Sequence, residues 1–441
     1  MDQQLSVSRT GEFSAARSAP PRPELPRPAL PHPVPRPLPA WPLLTLIWGY
    51  PLMWVLGLSQ FAPTVMSLIM LLLLLMRGQT RAPALFWIWG ALLLWMVGST
   101  LMLRSVTDLI GWGMRFSIIL NAGVCALYYL NAHEKISPDA VLRALSGLWS
   151  VCVLLGCCSL LAPDLRLVTP MSLIMPDSLL SNELVRDYVS PRLTETQQPW
   201  GAPEPYIRPS APFVYANSWG LAFALLTPVV IARLLRGAGS RARSWYAVLG
   251  LLSIIPALAS SNRGMFLGLG VAALSVWCRA LARGRWLSVV GGALGFSVLL
   301  AGFIGSGAVA SVLSRQEYSD STGGRSALYR ATLHRVADSP LLGFGTTEME
   351  PSIGVSLGTQ GQLWLLLFCY GFVGASLFIV FLGSAVLRSS RHLKASGLWL
   401  HAVLISASLM FIVYSFDTLQ MITLLLVIAL IERSRAEGLR L

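Results

Sequence analysis

Charge is scarce in this chain. Asp, Glu, Lys and Arg make up 12% of 441 residues, against 54% hydrophobic, about half the charged share of an average soluble domain. That balance excludes a protein wetted on all sides. Lysine is almost absent, with only Lys135 and Lys394, so nearly every basic residue is Arg; the bias points to GC-rich coding and a bacterial source. The six cysteines (Cys125, Cys152, Cys157, Cys158, Cys278 and Cys369) all lie inside apolar runs, which gives neither a disulfide framework nor the CxxC spacing of a zinc site. No apolar core segment precedes the first forty residues, so no cleaved secretory signal is expected.

What is present is apolar sequence in blocks of about 20 residues, the length that spans a hydrocarbon core. Twelve such spans are expected, at roughly 42–60, 62–76, 84–103, 109–130, 141–162, 212–235, 244–259, 264–282, 286–306, 361–386, 397–415 and 418–432. The expected fold is therefore an all-α, polytopic integral membrane protein of about 12 transmembrane helices, occupying 41–435. Ahead of it, "SAPPRPELPRPALPHPVPRPLPAWP" makes residues 1–40 an extended, Pro-rich cytoplasmic tail, either a basic tether or a partner docking site. A short tail, 436–441, closes the chain. The net charge of +13 would suggest nucleic acid in a soluble chain, but here the arginines sit in short loops between apolar blocks, so no nucleic-acid partner is expected. Arg77 and Arg81, Lys135 and Arg143, Arg233, Arg236, Arg241 and Arg243, Arg279, Arg283 and Arg285, and Arg388, Arg391 and Lys394 fall on one side. The positive-inside tendency makes that side cytoplasmic, together with both termini, and leaves two long extracytoplasmic loops, 163–211 and 307–360.

On this topology Arg263 in "SSNRGMFLGLG" is on the wrong side. A cation there calls for a partner, either an anionic ligand or lipid headgroups reached by snorkelling. Ser260, Ser261 and Asn262 are capping residues, and the helix they open would point unpaired N–H groups and its positive dipole end outward, where phosphate fits. The first outer loop ends in "YIRPSAPFVYANSWG", with Arg208 before Pro209 and Asn217 at the next span. The second carries "GGRSALYRATLHRVADSPLLGFG", a short helix after a Gly323–Gly324 turn, with Arg325, Tyr329 and Thr332 or Val336 on one side and an end before Pro340. Arg115 in "GWGMRFSIIL" is a charge within the fourth span, held either by a ligand or by nearby Asp108.

These pieces, in this order, resemble the O-antigen ligase and polysaccharide polymerase family. The resemblance rests on an arginine and proline followed by an aromatic and Asn-x-x-Gly, then "SNRG", then "GR…LYRATL…ADSPLLGFG", then a Gly-rich stretch into "LWLLLFCYGFVG", and covers about 205–380. No one motif is specific; the set of four carries the similarity. It implies a glycosyltransferase in the bacterial cytoplasmic membrane, taking a glycan from an undecaprenyl-pyrophosphate donor to a glycan acceptor, with other polysaccharide-assembly membrane proteins as further partners. Arg208 and Arg263 match the family's functional arginines and are the expected catalytic cations. Arg325, Asn217, Arg115 and Tyr329 are expected to bind substrate. A guanidinium fork suits phosphate oxygens, and the outward His, Cys and carboxylates lack ligand spacing, so neither a metal nor another cofactor is expected.

One position departs from the family. Where its ligases have a histidine before "LWLLLFCYGFVG", this chain has "GTQGQLW", with Gln360 in the catalytic place. An amide accepts no proton near neutral pH. His334 falls at an outward helix position, so the base is Glu348, Glu350 or Asp320, or leaving-group stabilisation and positioning suffice. Two other functions stay open: a transporter or flippase of lipid-linked glycan, against which stands the lack of an internal repeat, and a non-catalytic membrane subunit of an envelope-assembly complex. The orientation is directly testable. In intact cells a membrane-impermeant thiol reagent should label Glu350→Cys and spare Arg241→Cys; the reverse pattern would invert the whole topology.

Overall fold

The computed structural model describes residues 37–197, 205–286, 290–292, 297, 321–351, 354–390 and 394–438. Most of the Pro-rich tail, the final residues and most of the span expected at 286–306 lie outside them. Among the described residues, eight helices are long and apolar enough to cross a membrane. They are Ala84–Met102, Val106–Asn131, Pro138–Leu161, Ala216–Leu235, Ser240–Ser260, Arg263–Ala282, Gln362–Ser389 and Ala395–Val413. The protein is an all-α, multi-pass membrane protein.

The chain order is α1 (Trp41–Trp48), α2 (Tyr50–Val55), α3 (Ala62–Arg77), α4 (Ala84–Gly98), α5 (Val106–Asn131) and α6 (Pro138–Leu161). Three short helices follow, α7 (Pro170–Ile174), α8 (Asp177–Leu180) and α9 (Glu183–Val189), and then the antiparallel strands β1 (Thr194–Gln197) and β2 (Tyr206–Pro209). Next come α10 (Ala216–Leu235), α11 (Ser240–Leu252), α12 (Ile254–Ser260) and α13 (Arg263–Ala282), then α14 (Ser321–Val336) and the strands β3 (Met349–Glu350) and β4 (Val355–Ser356). The last three are α15 (Gln362–Ser389), α16 (Ala395–Val413) and α17 (Thr418–Ala436).

The departures from the expected spans have local causes. The run 42–60 divides into α1 and α2, since Pro51 opens α2 without an N–H to continue α1. The run 62–76 is a 16-residue helix stopped by Gly78 in the left-handed region, about 24 Å long and short of a full hydrocarbon core. The last run, α17, is apolar all round and correspondingly central: every residue from Thr418 to Ser434 is buried, against α5, α10 and α16. Folded structure also occupies much of 163–197, part of the expected first outer loop, where only the second was expected to hold short helices. In the second, α14 begins at Ser321 and takes Gly323 and Gly324 into the helix, where a turn was expected before it.

Basic residues gather at one end of the bundle. Arg236 pairs with Asp139 at 3.0 Å, Arg388 donates to both carboxylate oxygens of Glu432 at 3.0 and 2.6 Å, and Arg279 donates to the Ser390 carbonyl. Buried Arg433 donates to the carbonyls of Ile136 and His133, which closes the turn between α5 and α6. These are the loops that the arginine count places together.

Toward the other end α15 is broken. At Gly371 the backbone turns to φ 65°, ψ −171°, nine residues or about 14 Å along the helix from Gln362. Broken helices at membrane depth need substitute partners for the freed backbone groups. Residues 340–345 supply them: Phe344 N–H donates to Phe368 O at 2.9 Å, Gly345 N–H to Cys369 O at 2.8 Å, and Phe372 N–H to Pro340 O at 2.7 Å. The Trp95 indole donates to Tyr370 O at 3.1 Å. The loop "SPLLGFG" thus plugs the break. A Cβ at 371 would overlap the carbonyls of Leu341 and Pro340, and the positive φ is strained for any L residue. Gly371→Ala should therefore cost about 1–3 kcal/mol from the backbone alone, seen as a lower unfolding midpoint and less monodisperse protein in detergent. Unchanged stability would contradict the plug.

Candidate functional site

Arg208 is the first residue to place. It lies on β2 opposite Glu195, and Pro209 ends the strand. The side chain is buried, 9% exposed, and its fork is held in three directions. Nε donates to the Ser260 carbonyl at 2.8 Å, one terminal nitrogen to Gln197 Oε1 at 3.2 Å, and the other to Asn217 Oδ1 at 3.1 Å. Glu195 stands 4.0 Å away and accepts the Ala216 N–H at the start of α10. One guanidinium therefore joins the β1–β2 pair, the end of α12 and the start of α10.

The same atoms lead to "SSNRG". Ser261 takes the left-handed conformation (φ 48°) and ends α12; Asn262 then caps α13 by accepting the Met265 N–H at 3.0 Å. The Asn262 amide donates to Ala216 O at 3.3 Å and approaches Asn217 Oδ1 at 3.5 Å. The Asn-x-x-Gly spacing is now explicable: Gly220 lies one turn along α10 from Asn217, and a Cβ there would overlap the Asn262 amide. Gly264 has a similar role. The place of its Cβ is filled by the ring of Tyr414, whose hydroxyl accepts the Gly264 N–H at 3.2 Å and donates to Asn262 Oδ1.

Tyr414 carries the network to the segment holding Gln360. Its carbonyl accepts the Gln362 N–H at 2.9 Å, and Gln362 Oε1 accepts the Phe416 N–H at 3.0 Å. The half-buried Gln360 accepts, through its backbone carbonyl, the hydroxyl of Tyr329 at 3.4 Å. Tyr329 stacks on Trp364 with ring centroids 4.1 Å apart, which seats α14 on the start of α15; Leu328, Thr332 and Val336 form the rest of its buried face.

Arg208, Asn217, Gln360 and Tyr329 are therefore brought into one continuous network, which holds both sequence neighbours of Arg263. Arg263 is the first residue of α13 and is exposed, between Asn262 and Gly264, which are both held. The expected row of unpaired N–H groups is not there, because the tyrosine and the cap take those of Gly264 and Met265. Any ligand at this turn meets the Arg263 side chain and the helix dipole.

Arg115 stands apart. It donates to Thr346 at 3.0 Å, Thr347 at 2.7 Å and Gly111 O at 2.9 Å, so it clamps the chain leaving the plug and is not paired with Asp108, whose carboxylate accepts the Arg104 N–H. Arg325 is on the first turns of α14, and its side chain is outside the described residues, as is Asp320. His334 is exposed, and Glu348 accepts from Arg335 at 3.3 Å. Among the described residues no three His, Cys, Asp or Glu side chains are grouped to hold a metal.

Residues 247–379 match the O-antigen ligase family model. Over that stretch the chain is similar to an O-antigen ligase domain. The stretch holds Arg263, Arg325, Tyr329, Gln360 and the plug, and it agrees with the resemblance over its later part; Arg208 and Asn217 precede it in sequence and reach it through Ser260 and Asn262. No curated protein matches the chain.

One acidic residue beside the ligase-domain network has no signal in the motifs. Asp417 lines a small cavity with Tyr50, Tyr188 and Asp187. Desolvation raises its carboxyl above the ordinary value, opposed by a bond from Ser218, the neighbour of Asn217. A carboxyl with a raised folded-state value holds its proton more tightly folded than unfolded, so stability is lost as pH climbs from the ordinary value through the raised one. Asp417→Asn keeps the shape and removes the titration. Its unfolding midpoint in detergent should fall less over that window than that of the wild type; parallel curves would refute the assignment.

Proposed function

We propose that this protein is a membrane glycosyltransferase of the O-antigen ligase or polymerase type, in the cytoplasmic membrane of a bacterium with both termini cytoplasmic. On the outer face it moves a glycan from an undecaprenyl-pyrophosphate donor to a glycan acceptor. The observation that carries this reading is the placement of Arg263: an exposed guanidinium on the first turn of a ligase-domain helix, beside a buried network that fixes that turn from both sides.

The chemistry asks little beyond placed charge. The acceptor oxygen attacks the anomeric carbon, the bond from that carbon to the pyrophosphate breaks, and the electron pair leaves with the phosphate oxygen. Negative charge grows on the leaving group, and a preorganised cation is worth most there. Arg263 and the positive end of α13 meet that charge. Arg208 is committed to protein acceptors, so it acts as the frame and adds its field from below. Gln360 orients the acceptor hydroxyl and takes no proton, which leaves late, to water or to the departing pyrophosphate. Tyr329 seats α14 on the start of α15 beside the site, with Asn217 holding Arg208 and Arg115 holding the plug, and Arg325 is assigned to the donor. The joining of Arg208, Asn217, Asn262 and the Gln360 segment at helix ends supports transfer at a surface over passage through the midplane.

Arg263→Ala should lower transfer from lipid-linked donor on the order of 100-fold or more with protein level and membrane insertion intact. Arg263→Lys should recover little, because a point charge does not reproduce a bidentate fork. Near-normal product from the lysine variant would mean that this side chain only snorkels to headgroups.

A further inference from the structure

Tyr414 is outside the matched domain and in none of the motifs, yet it touches both neighbours of Arg263. We propose that Tyr414 is a positioning residue for Arg263, holding the first turn of α13 and tying it to the Gln360 segment; its catalytic consequence rests on the function proposed above. The tyrosine is 7% exposed and sits where α16 ends, its N–H still bonded to Met410 O at 2.8 Å. Three separate parts of the residue are engaged. The hydroxyl donates to Asn262 and accepts from Gly264, the ring occupies the space left by the missing Gly264 side chain, and the carbonyl receives the Gln362 N–H.

The consequence is geometric. The backbone of Arg263 is fixed between two residues that share one phenolic oxygen, so the Cα from which the guanidinium swings has a set place relative to residues 360–362. Asn262 alone would hold the turn through its cap, but it would leave the Gly264 N–H unpaired and the turn unconnected to α15. Two oxygen-centred bonds across 150 residues of sequence thus set the distance between a cation and the segment proposed to orient the acceptor. A catalytic group misplaced by about 1 Å loses on the order of 100-fold in rate, and loss of one tether with the ring still in place should displace it by less.

Tyr414→Phe isolates the hydroxyl, keeping the ring against Gly264. Two measurements separate this idea from the function it rests on. The first needs no activity: with the six native cysteines replaced by Ala or Ser, Arg263→Cys is labelled by an impermeant maleimide with and without Tyr414→Phe, and the phenylalanine should raise the labelling rate several-fold while the unfolding midpoint stays within a few degrees. An equal rate overturns the positioning role whatever the protein catalyses. The second compares transfer rates of wild type, Tyr414→Phe, Arg263→Lys and the double variant. Tyr414→Phe should lower the maximal rate roughly tenfold with little change in the donor concentration for half-maximal rate, and add almost nothing on top of Arg263→Lys. Multiplicative losses would make the tyrosine a general structural element. If Arg263→Lys itself transfers normally while labelling responds to Tyr414→Phe, the pyrophosphate assignment falls and the positioning contact stands.

Discussion

A buried guanidinium must have an acceptor in each direction its fork points, and Arg208 imposes that demand on three separate elements, the ends of β1 and α12 and the start of α10. Removing such a charge from water costs several kcal/mol unless its donors are met. The carbonyl of Ser260, the amide oxygens of Gln197 and Asn217 and the carboxylate of Glu195 meet them. Ser260 O is available because α12 stops there, and it stops because Ser261 turns left-handed. The negative end of a helix thus faces the buried cation. Two residues later α13 starts, with the opposite end of a dipole and Arg263 at its tip. "SSNRG" is a corner between two helices whose ends have opposite sign: one end is spent on an internal arginine and the other presents an external one.

The motifs were legible and their division of labour was not. Arginine before proline, Asn-x-x-Gly, the serine-asparagine corner and the plug sequence can all be read in order along the chain, and the structure joins most of them. Nothing in the sequence distinguishes Arg208 as the enclosed cation from Arg263 as the exposed one, since each stands at or shortly before the start of an apolar helix. That the N–H groups of α13 are taken follows from Tyr414, 150 residues away in "FIVYSFDTLQ", where it reads as one more apolar residue. Arg115 shows the same limit: the sequence offers Asp108 as a neighbour, while its partners are Thr346 and Thr347. The break at Gly371 is invisible for another reason, because the run around it is uninterruptedly apolar and its substitute hydrogen bonds come from 340–345.

The span count shows which physical signals travel through a sequence unaltered. Among the described residues hydrophobic length identifies eight helices, because crossing a hydrocarbon layer is a property of each segment by itself. It misjudges α1 and α2, where proline resets the backbone. It says nothing of the central position of α17, which depends on the surrounding helices α5, α10 and α16. The same separation holds at the site: charge at a helix tip is local and readable, whereas a hydroxyl shared between Asn262 and Gly264 is a tertiary fact.

Gln360 gives the arrangement its chemical character. Guanidinium groups stay charged across the physiological range, and an amide does not titrate, so neither Arg263 nor Gln360 changes its charge there. The nearby carboxyl that does titrate, Asp417, faces a separate cavity among tyrosines. With a histidine at 360, acceptor activation would gain a base and a dependence on its protonation. With glutamine there, what can lower the barrier is charge on the leaving group and the spacing between donor and acceptor. Both depend on how firmly the turn at 262–264 is held, which places the burden of this site on Asn262, Tyr414 and the buried arginine beneath them.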